Sequence, residues 1–264
     1  MSFRAYLLAA VAALPVLPGC GSSRLDSFPE FPSHKARLGK SVINADFLVM
    51  RATGGDTSTV DLAANKATAD TILRFVQGHL DAKGYNVSAR LLSSVGLAMD
   101  SGFTANVSHT SELDREGEDR ALSFHPPFYL YQPLRRDPVM TSYLGALYRK
   151  LTRMEESDSG YPSMPEAVPA GKAFGGGLMF ILLGGGYEVS PGVEVVAGDS
   201  PGRVQNSPNP VIAVHQVSQT SLHLFVLDPG TGALLWTDRR VITGGMVYDD
   251  KFIRMAGLLL EDLP

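Results

Sequence analysis

The sequence predicts an α/β protein, one mixed β-sheet with flanking helices, placed behind an amino-terminal leader and a flexible tether. Three observations predict it. A strand, a helix and a second strand follow one another between Ala45 and Leu92. A hairpin pattern runs from Leu222 to Ile242. Helical apolar stripes stand over residues 139–154 and at the carboxyl terminus.

Each element has its own warrant. Over residues 45–52, Phe47, Leu48, Val49 and Met50 form a continuous apolar run, the mark of a strand covered on both faces and central in its sheet. After the turn Gly54-Gly55-Asp56, the hydroxyls of Thr57, Ser58 and Thr59 are expected to cap a helix. Its buried stripe is Ala63, Ala67, Ile72, Phe75, Val76 and Leu80, it runs to Lys83, and Gly84 ends it. A strand over 85–92 completes a unit long enough for a parallel crossover. Residues 101–138 read as loop with room for a short strand. The helix over 139–154 carries Met140, Tyr143, Leu144, Leu147, Tyr148 and Leu151 on one side. Proline and glycine make 161–177 a connector. A strand over 178–183 is expected to stop at Gly184-Gly185-Gly186, with further strands at 193–197 and 211–217. The hairpin turns at Asp228-Pro229-Gly230-Thr231-Gly232 and returns through Trp236. A helix over 246–263, with Phe252, Ile253, Met255, Leu259 and Leu260, closes the chain. Residues 42–264 are thus expected to form a single α/β domain.

With 264 residues and 44% hydrophobic content, the chain can build a substantial core. A formal charge of −4 supplies no bulk attraction for phosphate backbones, so nucleic acid is not an expected partner. One cysteine, Cys20, cannot form an internal disulfide and needs another explanation. Arg4 followed by the apolar run 5–17 has the form of a signal peptide, too short to span a bilayer and broken at Pro15 and Pro18. The segment Leu17-Pro18-Gly19-Cys20 resembles the lipobox of bacterial lipoproteins. That resemblance implies cleavage after residue 19 and lipidation of Cys20, whose thiol takes a diacylglyceryl group. Gly21 stands where an aspartate would signal inner-membrane retention, which implies the periplasmic face of the outer membrane. At about 0.8 kcal/mol per buried methylene, several acyl chains make a lasting anchor. Residues 20–41, with Pro29 and Pro32, read as the lipidated tether.

Three further pieces carry a second resemblance. They are the junction Val76-Gln77-Gly78-His79-Leu80-Asp81-Ala82-Lys83-Gly84-Tyr85-Asn86-Val87, the hairpin Leu227-Asp228-Pro229-Gly230-Thr231-Gly232-Ala233-Leu234-Leu235-Trp236, and the helix after it. Together they resemble periplasmic α/β lipoproteins related to the curli secretion channel family and to the TolB amino-terminal domain. The likeness implies a non-catalytic accessory or structural role in an envelope assembly, with other envelope proteins, including copies of itself, as partners. It brings no catalytic residues. The sequence departs from the channel members in lacking two recognisable long amphipathic hairpins for a transmembrane barrel.

No cofactor is called for, and each catalytic motif is incomplete. Gly198-Asp199-Ser200 resembles the nucleophile block of GDS-type esterases, but Ile212 and Thr220 stand three places before His215 and His223, where that family has its aspartate. Gly171-Lys172 precedes Gly175-Gly176-Gly177, the reverse of a Walker loop. His215 and His223 can be neighbours on adjacent strands, yet nothing completes a metal shell around them. The acidic residues from Glu112 to Asp119 lack calcium-loop spacing. The Pro-aromatic patch at 126–133, with Phe128, Tyr129 and Tyr131, is the expected partner contact, against the alternative of a loop folded onto the core. A lipid-anchored hydrolase and a module binding a peptide, glycan or lipid remain the alternatives.

Overall fold

The computed structural model describes residues 21–24, 31, 39–52, 58–100, 105–108, 125–131, 134–154, 163–175, 177–189, 218–243 and 250–264. Its elements are β1 (Gly21–Arg24), β2 (Ser41–Ala52), β3 (Ser58–Asp61), α1 (Leu62–Ala82), β4 (Val87–Val95), β5 (Asn106–Ser108) and β6 (Tyr129–Leu130). There follow α2 (Pro138–Thr152), α3 (Ala167–Phe174), β7 (Leu178–Val189), β8 (Gln219–Asp228), β9 (Ala233–Thr243) and α4 (Lys251–Glu261). The fold is the expected one, a mixed sheet with helices packed on it. Its order is β1-β9-β8-β7-β2-β3-β5, with β4 on the same edge of β2 as β3 and β6 beyond β4.

The apolar run of β2 sits centrally. One edge pairs in parallel with β7 along its whole length. The other edge forks: Ser41 to Asp46 pair in parallel with β4, and Arg51 and Ala52 pair antiparallel with β3. Val49 lies in the gap, and the buried Asn65 of α1 closes it. Its Oδ1 accepts from Val49 N at 2.7 Å while its Nδ2 donates to Val49 O at 3.1 Å. A buried amide here satisfies a backbone that no strand reaches.

Alternation divides the core. Ile43, Ala45, Phe47 and Val49 face α1 and α4 with Phe180, Leu182, Leu222, Leu224 and Trp236. Val42, Met179, Ile181, Phe225 and Leu227 face α2 and α3, against Leu144, Leu147, Tyr148, Ala167 and Ala170. Period-two side chains serve both layers because helices cover both faces.

The structure moves several expected boundaries. Residues 58–61 are a strand, and the cap of α1 is Asp61, whose Oδ1 accepts from Ala64 N at 2.9 Å. Within the expected connector, residues 167–174 form α3. Pro169 falls in its first turn, where an N–H has no helical partner to lose, and Gly171 lies so close to the Pro229 ring that a Cβ would not fit. Most consequentially, β7 does not stop at Leu183 but continues through all three glycines to Val189. At Gly184 a Cβ would be driven into the Phe47 ring, so glycine is required by the opposite layer and not by a turn. In the hairpin, Asp228 accepts from Gly230 N at 2.8 Å and from Thr231 Oγ1 at 2.9 Å, and Gly232 takes φ +74°.

Within the stretch expected as a tether, two described pieces touch the domain. Gly21–Arg24 pairs antiparallel with β9, and Phe31 is fully buried in the core beneath α1 and α4. The expected strands at 193–197 and 211–217 lie outside the described residues, as does the start of the terminal helix before residue 250. Among the described residues no helix is long and apolar enough to cross a membrane.

Candidate functional site

Helices α2 and α3 cover the half of the sheet nearer the start of β7. Past the end of α2, at Thr152, the same face opens into a pocket of about 380 Å³. Its walls are Leu48, Met50, Met99 and Leu183, with Tyr187 and Gln219 at the far end of the strands. Register explains how distant residues meet there. Asp46, Leu183, His223 and Arg239 are successive partners across β2, β7, β8 and β9, so they form one row on one face. The next row is Leu48, Gly185, Ser221 and Val241, and it ends at Gly21 of β1. Gly185 forms the floor. A Cβ built there would have only ordinary contacts, at 3.7 Å to Leu48 O and to Ser221 Oγ, so the glycine leaves space above the sheet.

The polar groups of this row are unequal. Asp46 is buried and already engaged: its carboxylate accepts from Ser94 Oγ at 2.7 Å, Ala98 N at 2.8 Å and Leu97 N at 3.1 Å. Burial pushes its pKa up, against the lowering effect of those bonds. Its work is to hold the bend after β4. His223, half-buried, has its pKa pushed down to about 3, first by burial and then by the neighbouring Arg239 guanidinium. The ring is therefore neutral, and its Nε2 has no hydrogen-bond partner among the described residues. The guanidinium of Arg239 has no carboxylate partner among the described residues, and its Nε is buried without an acceptor there. That contrasts with Arg240 next door, which binds Asp238 at 2.7 Å and Asp262 at 2.6 Å on the other face. A largely apolar cavity thus carries, on its β8–β9 wall, a guanidinium without a carboxylate partner and an imidazole with an unpartnered nitrogen among the described residues.

The residues singled out from sequence fall in different places. Cys20, Ser200, His215 and the acidic residues from Glu112 to Asp119 lie outside the described residues. Phe128 is 3% exposed and packs with Leu48, Val60, Leu62 and Val95 over the bend at Gly96. Its ring is core, a correction to its placement in a surface patch, and it lies there because β6 pairs with Val95 and draws the preceding residue inward. Tyr129 and Tyr131 are half-buried and meet edge to face at 4.6 Å. Lys172 is an exposed residue of the α3 helix, so Gly171-Lys172 is no phosphate loop. Of the two histidines, His223 reaches the pocket. Sequence reasoning missed Arg239, Gly185 and Asp46 as its companions. Alternation alone would have put Ser221 and His223 on one face of β8, but only the strand order brings β9 and β2 beside them. Among the described residues no three His, Cys, Asp or Glu side chains converge as metal ligands.

No protein-family model matches the chain, and no curated protein matches it. Among solved structures it is similar to a PelC dodecamer from Paraburkholderia phytofirmans, at 9% identity and a TM-score of 0.31, over 92% of this chain and 93% of that one. A likeness at that level assigns neither fold nor function.

Proposed function

We propose that this chain is a lipid-anchored protein of the bacterial envelope, held by Cys20 at the periplasmic face of the outer membrane. There it acts as a non-catalytic accessory or structural component of an assembly. The observation that carries this reading is the position of Cys20, separated by two residues from the apolar run 5–17 and directly before the strand Gly21–Arg24. Pairing of Gly21 with Val241 supports an anchor close to the sheet, with the domain held near the bilayer.

The test is intact mass and membrane fractionation of the chain expressed in a Gram-negative host, beside Cys20→Ala. A lipid-sized mass increment and outer-membrane partition, both lost in the variant, are expected. A soluble, unmodified product from the wild-type chain would overturn the reading.

A further inference from the structure

We infer that the pocket over Gly185 binds a single-chain anionic amphiphile, a long-chain carboxylate whose head group meets Arg239 and whose chain lies along Leu48, Met50, Met99 and Leu183. The ligand chemistry follows from what the pocket lacks as well as from what lines it. A guanidinium is always charged, and one set beside a neutral, half-buried imidazole in an apolar cavity has an electrostatic deficit that an anion removes. The acidic group of the same row does not remove it. Asp46 is two strands from His223 and three from Arg239, about 14 Å at about 4.8 Å per strand, and its oxygens are taken by Ser94, Leu97 and Ala98.

His223, the cross-strand partner of Arg239, and Ser221 one row further along β8 line the same wall of the pocket. The rest of the lining is mostly apolar, with Met50, Met99, Leu48, Leu183, Ala98 and three glycines, and its polar members are Asp46, Thr152, Tyr187 and Gln219. Methionine side chains adapt to flexible chains and Gly185 lets a chain lie directly on the sheet. Ligand pockets run from roughly 300 to 1,000 Å³, and a volume of about 380 Å³ fits one chain and not two.

The position of the amino terminus suggests the source. Gly21 ends the row that contains Gly185, three strands away or about 14 Å. Supply from a membrane rests on the anchoring proposed for Cys20; the ligand chemistry does not.

The probe is palmitate, compared with hexadecanol, which has the chain without the charge, and acetate, which has the charge without the chain. The full chain in non-ionic detergent is titrated and adducts are counted by native mass spectrometry. The wild-type chain is expected to take one palmitate, to bind hexadecanol about tenfold more weakly, and to take no acetate. Gly185→Leu fills the floor, its Cβ in ordinary contact with Leu48 O and Ser221 Oγ at 3.7 Å, and is expected to lose both long-chain ligands. Arg239→Gln is expected to bring palmitate down to the level of hexadecanol and to leave hexadecanol unchanged. Urea melts of both variants check folding, and Arg239→Gln decides the matter if Gly185→Leu does not fold. Equal binding of palmitate and hexadecanol by the wild-type chain, no saturable one-to-one adduct, or unchanged palmitate binding in a folded Gly185→Leu would each overturn the inference. Since the titration needs no membrane, a failed Cys20 experiment leaves its result standing, and the reverse.

Discussion

Acid should weaken this fold through His223, by an amount the structure sets. The imidazole titrates near 6.5 in the unfolded chain and near 3 in the folded one. Because the folded value is the lower, the contribution of His223 is fully present above pH 6.5 and is lost as pH falls toward 3. At pH 5 the unfolded ring is almost wholly protonated and the folded ring almost wholly neutral, a difference of about 2 kcal/mol. For a chain of this size that is about 4–8 °C in Tm. Two carboxyls act the other way. Asp46 and Asp238 have raised folded values, so their contributions are present below 3.8 and are lost as pH rises through the folded pKa. They are common to wild type and variant and cancel in the comparison. The perturbation is His223→Phe, which removes the titration and an unpartnered nitrogen while keeping an aromatic ring beside Phe225. Urea unfolding is followed by fluorescence of Trp236, the single and fully buried tryptophan, at pH 8 and pH 5. The wild-type chain should lose about 2 kcal/mol more than the variant between the two conditions. Parallel losses would refute a neutral buried His223.

Phe128→Ala should cost about 3–5 kcal/mol, the range for a buried aromatic, with the loss read from the urea midpoint at unchanged slope. A variant as stable as wild type would return Phe128 to the surface patch. Asp46→Ala leaves the N–H groups of Leu97 and Ala98 and the Ser94 hydroxyl without their acceptor in a buried site, and should cost at least about 2 kcal/mol. Hydrogen exchange should then rise first at residues 94–98; uniform acceleration across β2, β7 and β8 would count against a local role.

Much of the architecture was legible in the sequence because it is written in short-range patterns. The apolar run at Phe47–Met50 marks a strand that must be covered twice, the stripe of Ile72, Phe75, Val76 and Leu80 marks a helix with one buried side, although Ala67, expected in that stripe, is exposed, and Asp228 to Gly232 has the chemistry of a tight loop. The same logic erred where a residue answers to something distant in sequence. Gly184 reads as a strand end until Phe47 is seen against it, and Gly171 reads as a loop residue until Pro229 is placed beside it. Phe128 reads as a surface aromatic until β6 is paired with β4.

By itself the sequence determined the main elements, β2, α1, α2, the β8–β9 hairpin and the terminal helix, together with the two-sided burial of the central strand. These depend on periodicity and on the order of residues along one stretch. Tertiary structure alone decided the candidate site. Asp46, Gly185, His223 and Arg239 come from four strands, and nothing local to any of them specifies that β2, β7, β8 and β9 lie side by side in that register. Strand order is the outcome of burying two faces of one sheet at once, a condition on the whole chain, and it is that order which sets Arg239 beside His223.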